Sequence, residues 1–423
     1  MKRLIFMLLL IVSLQPLFSQ TDTITLLSCL VAANQNAAAV RNFDVVSQIS
    51  DLKIANVGAS WLPTLTAYGK AWYQSDATSV NMGPLGTMEI DRFQYNTGIE
   101  ANQKIFDGGL AKRSRELEIA SLTAETGKIE VDLYQLNSQI ADLYFNTLLL
   151  AKNREILRLK EELLQKRVSE METAFNNGIV KGTDLERMNA ELLFVQQQII
   201  EIIKSRNQVI AALAVYTGIN LTEETNFVEV SPVEIPVKTG RPEYRYFDAE
   251  DMRIENLARL QTSKKLPMVS LYGQAGYSYP GLNFFENQSD YYYIVGARFS
   301  WTIIDWKQAR NESKITLKQK EIIASKRDDF NQKMTAASDK ESIEQEHLKE
   351  LIGIDMDLIS RRASVSKGSE AALLNGVITS SAYMEDLNAE IKSRVDLEVH
   401  KIQLQRSMMQ HILLEGIDLN TTY

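Results

Sequence analysis

The chain has 423 residues and a formal net charge of −8 at neutral pH, with 45% apolar residues, 24% charged residues and one cysteine. An acidic balance of this kind carries no basic footprint for nucleic acid. A single cysteine excludes an intrachain disulfide and a thiol cluster for zinc.

At the N-terminus, Lys2 and Arg3 precede an apolar run from Leu4 to Leu14 and small or polar residues ending Phe18-Ser19-Gln20. This order predicts a secretory signal peptide over 1–20. The run is about 11 residues, against the roughly 20 that a spanning helix needs, and nothing later in the chain is comparable, so helical membrane spans are not expected. Leu26-Leu27-Ser28-Cys29 loosely resembles a lipid-attachment box, but Thr21-Asp22-Thr23 separates it from the apolar run. Cys29 is therefore expected as a small buried helix residue and not as a lipidation site.

A helix is expected from about Asn36 to Gly58, followed at Leu62-Pro63 by a first strand. Between Phe93 and Phe106, Phe93, Tyr95, Ile99, Ala101 and Ile105 alternate with Gln94, Asn96, Glu100, Asn102 and Lys104. This period of two gives a strand with one apolar and one polar face. Ser75 to Asp91 is polar and turn-rich and reads as the connection between the two strands. No proline falls between 85 and 231, which permits a very long helix. Ile129, Leu133, Leu136, Ile140, Leu143, Leu150, Leu157, Leu164, Val168, Met171 and Phe175 follow a heptad rhythm, interrupted by Thr147, Arg154 and Glu161. The predicted helix, Gly109 to Asn176, would be roughly 100 Å long and its return, Thr183 to Tyr216, roughly 50 Å. Gly178 marks the turn between them.

After a linker, 222–245, the same order returns: a helix from Tyr246 to about Lys264, a strand carrying Val269, Leu271, Ala275, Tyr277 and Tyr279, and a strand carrying Tyr291, Tyr293, Val295, Ala297, Phe299, Trp301 and Ile303. The second long proline-free stretch, 281–423, follows. Trp72, Tyr73, Tyr272, Trp301 and Trp306 stand near strand ends, as an interfacial girdle would. Four strands cannot close a membrane barrel, because the smallest use about eight, so several chains must share one.

The return is a duplication. Leu62-Pro63 with Tyr68-Gly69 recurs as Leu266-Pro267 with Tyr272-Gly273, Ile105-Phe106-Asp107 as Ile303-Ile304-Asp305, and Asn177-Gly178-Ile179-Val180 as Asn375-Gly376-Val377-Ile378. Asn189-Ala190-Glu191 recurs as Asn388-Ala389-Glu390, and Gly218-Ile219-Asn220-Leu221 as Gly416-Ile417-Asp418-Leu419. Asp107 to Gly178 and Asp305 to Gly376 are both 71 positions, and Gly178 to Gly218 and Gly376 to Gly416 both 40, so helix lengths are conserved between halves. The expected organisation is a signal peptide (1–20), a first repeat (21–221), the linker (222–245) and a second repeat (246–423).

Thr25-Leu26-Leu27-Ser28-Cys29-Leu30 with Ala32 and Asn34, the Leu62-Pro63 strand start, Ile105-Phe106-Asp107-Gly108-Gly109 and both glycine turns together resemble the TolC family of outer-membrane efflux proteins over nearly the whole chain after residue 20. Trp306-Lys307 departs from the paired glycines of the first half. The resemblance implies a mostly α protein with β-strands, whose long coiled-coil hairpins form a helical barrel. It also implies a homotrimer in which three sets of four strands make a twelve-stranded barrel in outer-membrane lipid, with the tunnel in the periplasm. Function would be passive exit of small molecules, or type I secretion, with a periplasmic adaptor (membrane fusion) protein and an inner-membrane pump or ABC exporter, and no cofactor. On this resemblance Gly178, Ile179, Val180, Gly376, Val377 and Ile378 contact the adaptor, and Glu186, Asn189, Glu385 and Asn388 line the entrance, with Asp184 and Asp386 as alternatives. The competing expectation is a periplasmic coiled-coil scaffold with soluble β-hairpins.

No phosphate loop, serine elbow or zinc helix is present. His347, His400 and His411 have no ligand spacing and read as surface or packing residues. An enzyme is not expected.

Overall fold

The structure, a computed structural model, describes residues 23–81, 83–230 and 240–416. The predicted signal peptide, 231–239 of the predicted linker, and Ile417-Asp418-Leu419 lie outside the described residues. The described residues form two compact units, one from 23–40, 131–230, 240–242 and 331–416, the other from 41–130 and 243–330. Each unit takes elements from both duplicated segments, so compactness cuts across the duplication.

In chain order the elements are β1 (Thr23–Ile24), α1 (Leu26–Asn36), α2 (Ala38–Ala59), β2 (Thr64–Tyr73), β3 (Thr78–Asn81), β4 (Thr87–Ile90), β5 (Phe93–Phe106), α3 (Leu110–Asn176) and α4 (Gly182–Thr217). There follow β6 (Asn226–Phe227), α5 (Pro242–Ser263), β7 (Met268–Tyr279), β8 (Asp290–Ser300), α6 (Gln308–Leu374) and α7 (Ser380–Glu415). The long helices α3 and α6 are both 67 residues and their returns α4 and α7 both 36. Equal spacing of the sequence matches is thus equal helix length. Helix α5 starts at Pro242, earlier than Tyr246, because proline suits a first helical turn whose N–H groups have no partner.

The second unit contains an antiparallel sheet in the order β2-β5-β7-β8, in which β5 and β7 form the central pair. Registers Leu65↔Ala101, Ala67↔Ile99, Ile99↔Ala275 and Ala275↔Tyr293 place residues of one parity in common rows across all four strands. That parity carries the apolar set, and it is open to the surroundings: Tyr291 is 81% and Val295 79% exposed, with Leu65, Tyr73, Phe93, Ile99, Leu271 and Phe299 also exposed. The opposite parity is polar. There Gln274 Nε2 donates to Glu100 at 2.8 Å, and Arg298 stacks over Tyr272 at 5.3 Å. One row of it reads Tyr68, Gly98, Gly276, Tyr292. The two tyrosine hydroxyls meet at 2.5 Å, and the Tyr292 hydroxyl also donates to Asn96 Oδ1 at 2.6 Å. A β-carbon on Gly276 would lie 2.9 Å from the Tyr292 ring, so glycine there is a requirement of packing.

Several details depart from the sequence expectation. Trp72 and Tyr272 fall on the polar parity, beside Lys70 and Arg298, and not in the apolar rows. A bulge between Lys104 and Phe106 pairs Phe106 with Val269 and takes Ile105 out of register. Strand β8 ends at Ser300, short of Trp301 and Ile303. The 75–91 connection holds its own hairpin, β3–β4.

At both strand-to-helix junctions an aspartate caps the helix. Asp107 accepts from the backbone N–H groups of Gly109 and Ala111, both at 2.8 Å, and Asp305 from those of Lys307 and Ala309, both at 3.1 Å. The Ala309 N–H, aided by Lys265 at 3.3 Å, holds the Asp305 carboxyl below the usual carboxylate range. Gly108 and Gly109 are left-handed (φ +67° and +81°), and so are Trp306 and Lys307 (φ +48° and +71°). The cap geometry is kept although the glycines are not.

The first unit is built on the apolar stripe of the long helices. Tyr144, Phe145, Ile140, Leu30, Cys29 and Leu213 are fully buried in one cluster, each large aliphatic side chain contributing roughly 1.5–3 kcal/mol. The Tyr144 hydroxyl lies 2.7 Å from the Val228 carbonyl and 2.9 Å from that of Ile24, tying the β1–β6 pair to α3. Cys29 is wholly buried, as expected, and burial pushes its thiol up to about 12. The folded protein should therefore resist maleimide at neutral pH and label only after denaturation. Labelling of the folded chain at the rate of a free thiol would contradict this burial.

Candidate functional site

The two helical turns share one geometry. Gly178 (φ +71°) and Gly376 (φ +69°) are left-handed. The N–H groups of Gly178 and Ile179 donate to Phe175 and Ala174, and those of Gly376 and Val377 to Leu373 and Ala372, all at 2.9 Å. This double closure satisfies the last helical carbonyls and needs a residue without a β-carbon. The next helix differs between turns: the Thr379 hydroxyl accepts from Ala382 N–H at 3.3 Å, whereas Lys181 supplies no side-chain cap.

Of the apolar turn residues, Ile179 (69%) and Val377 (75%) face outward. Val180 and Ile378 instead pack on a core cluster with Leu164, Met171, Met188, Tyr383 and Leu387. Each turn thus displays one large apolar side chain and uses the other for anchorage.

Glu186 and Glu385 are exposed, while Asn189 and Asn388 are half-buried. Asn388 Oδ1 is buried without a partner and borders a cavity of about 500 Å³ that Asn153, Lys160, Gln198 and Ser205 also line. Asp184 and Asp386 are engaged: Asp184 accepts from Ser380 Oγ at 2.7 Å, and Asp386 from Ser369 Oγ. Both hold neighbouring elements together, which leaves Glu186 and Glu385 as the free carboxylates of the four.

Counting apolar positions missed the polar contacts inside the stripe. Arg167 is 3% exposed and pairs with Glu170 and with Glu370 of α6, while its guanidinium stacks over Tyr383 of α7 at 5.8 Å. One heptad earlier, buried Lys160 pairs with Glu191 of α4 at 2.7 Å. On α6 a seven-residue series does the same toward α7: Asp355 to His400 at 2.6 Å, Arg362 to Ser393 Oγ at 2.7 Å, and Ser369 to Asp386. His400 is therefore an interhelical partner. The available signal was a charge at a heptad position: Lys160 and Arg167 fall three residues after Leu157 and Leu164. Among the described residues no three His, Cys, Asp or Glu side chains gather as for a metal ion, and no helix is long and apolar enough to cross a membrane.

Residues 31–219 match the family model described as outer membrane efflux protein. That segment, a little under half of the chain, is similar to this family. This match and the shared fold of outer membrane channels support reading the chain as an efflux duct and not an enzyme. No curated protein sequence matches it. Solved structures share its TolC-like fold. The outer membrane channel CmeC of Campylobacter jejuni is 14% identical over 93% of this chain and 87% of that one, with TM-score 0.67. CusC is 14% identical over 93% and 92%, with TM-score 0.71. The outer membrane protein VceC of Vibrio cholerae is 12% identical over 93% and 97%, with TM-score 0.67.

Proposed function

We propose that three copies of this efflux duct close their four-stranded sheets into one twelve-stranded outer-membrane barrel, continued by a helical tunnel in the periplasm. The carrying observation is the sheet itself: it has two free long edges and an apolar face with Tyr291 and Val295 almost fully exposed. Free edges of that length promote uncontrolled pairing unless another strand covers them. A soluble scaffold would leave the same apolar face in water, at a cost that scales with its area. The segments 21–221 and 246–423 are read as two fused copies of one ancestral unit, joined by 222–245.

On this reading small molecules leave passively, and the driving force comes from an inner-membrane pump, or an ABC exporter, through a periplasmic adaptor. Gly178 and Gly376 shape the turns that meet the adaptor, and Ile179 and Val377 are the apolar contacts, seated by Val180 and Ile378. Glu186 and Glu385, with Asn189 and Asn388 behind them, line the entrance, where three chains bring six carboxylates to one ring.

The test is a purified, detergent-solubilised protein examined for heat-sensitive oligomer mobility and for conductance in planar bilayers. A conducting trimer is expected; a monomer that forms no pore would refute the barrel. Glu186→Gln with Glu385→Gln should weaken block by divalent cations several-fold, because a ring of carboxylates concentrates cations. Unaltered block would remove these residues from the entrance.

A further inference from the structure

Trp306 and Lys307 occupy two consecutive left-handed positions, a conformation that strains an ordinary L-residue. The equivalent positions in the first half are Gly108 and Gly109, which adopt the same conformation beside an equivalent aspartate cap. Glycine would thus serve this backbone with less strain. Strain that persists where a cheaper residue is at hand points to what the side chains do. Trp306 is 89% exposed, the most exposed large apolar side chain described, and Trp301, Ile303 and Ile304 beside it are exposed too.

The same level of the molecule is basic, although the chain as a whole is acidic. Lys112, Arg115, Lys264, Lys307 and Arg310 are all exposed within about two helical turns of the junctions between strand and helix. The two aspartates at the junctions are occupied. Asp107 is buried under two N–H groups, and Asp305 takes two more together with Lys265. The segments are also joined in space: Gln103 Nε2 donates to the Trp61 carbonyl at 2.5 Å, and Lys265 bridges to Asp305 at 3.3 Å.

We propose that this junction is a binding collar for the phosphate headgroups of anionic phospholipid, with Trp306 as its interfacial anchor and the exposed lysines and arginines as its phosphate contacts. The proposal rests on reading the sheet as a lipid-embedded barrel. Trp301, Ile303, Ile304 and Trp306 follow the end of β8 in sequence and are exposed, so the collar lies just beyond the lipid-facing rows, at the height where headgroups begin. Indole rings settle at that height, and each nearby cation adds to the attraction toward an anionic surface. Zwitterionic lipid satisfies only the first of these.

The test compares the wild-type trimer in mild detergent with added phosphatidylglycerol, phosphatidylcholine or inorganic phosphate, following the temperature at which the oligomer dissociates. Phosphatidylglycerol should raise it above the phosphatidylcholine value, and added salt should shrink the difference. Lys264→Gln with Arg310→Gln should lose most of that difference while still conducting. Trp306→Gly with Lys307→Gly, which relieves the strain, should dissociate no earlier in detergent alone yet show markedly less quenching of tryptophan fluorescence by brominated lipid. Equal response to both lipids, an effect reproduced by inorganic phosphate, or full retention in the charge variant would each overturn the collar. A conducting trimer with no lipid preference would remove only this site, whereas a chain that never inserts would remove the barrel beneath it.

Discussion

Gly108→Ala is expected to cost about 3 kcal/mol or more and to lower sharply the yield of assembled protein, whereas Gly109→Ala, one residue later, should cost only about 1 kcal/mol. Both positions are left-handed, so both substitutions carry the same backbone penalty. Their surroundings separate them. A β-carbon on Gly108 would lie 2.5 Å from Leu266 Cβ and 3.3 Å from the Ser263 carbonyl, at the join between α5 and β7, while one on Gly109 meets nothing within 4 Å. Trp306 and Lys307 show that a side chain can be carried in this conformation when it projects outward. Denaturation midpoints of the two variants in the same detergent check the ranking; equal losses would mean that backbone strain alone decides and that the Leu266 contact is irrelevant.

Arg167→Ala is expected to destabilise the chain by about 2 kcal/mol and to raise its basal conductance. Removing one partner of a buried ion pair typically costs about 3–5 kcal/mol. The lower figure applies because the Glu170 and Glu370 side chains are more than a third exposed and can rehydrate. The functional effect follows from position. One guanidinium joins α3 to α6 through Glu370 and to α7 through the Tyr383 ring, beside the cluster that seats both turns. Arg167→Met, which keeps the stem packed and removes the charge, should retain more stability than alanine while still loosening the α3–α6 link. Single-channel recordings of both variants test this: basal conductance unchanged in alanine and methionine alike would make Arg167 a packing residue only.

The helices were the most legible part of the sequence. The proline-free stretch and the glycine at 178 bounded α3 and α4 to within a residue, because a helix stops where a left-handed residue closes it, whereas α5 begins four residues before Tyr246. The sheet was legible in its parity but not in its irregularities. Ile105-Phe106 is apolar on either parity, so no alternation signals the bulge that displaces Ile105. Likewise Trp72 and Tyr272 were assigned by residue type, whereas the register sends them to the polar side. The candidate site was legible in its turns and exposed carboxylates, whereas Arg167, Lys160, Asp355 and Arg362 were invisible to a pattern that counts only apolar positions. The partners that make these charges tolerable, such as Glu370 for Arg167 and His400 for Asp355, come from helices far along the chain.

The central seam of the sheet has a consequence for how the gene can be divided. Strand β5 pairs with β7 along most of its length, and these two strands come from different copies of the duplicated segment. A fragment ending in the linker would leave β5, the longest strand among the described residues, with an unsatisfied side, the kind of edge that recruits any passing chain. Two separately expressed fragments would therefore succeed only by finding each other before either finds itself, which makes the covalent tether between them a safeguard against mispairing during folding.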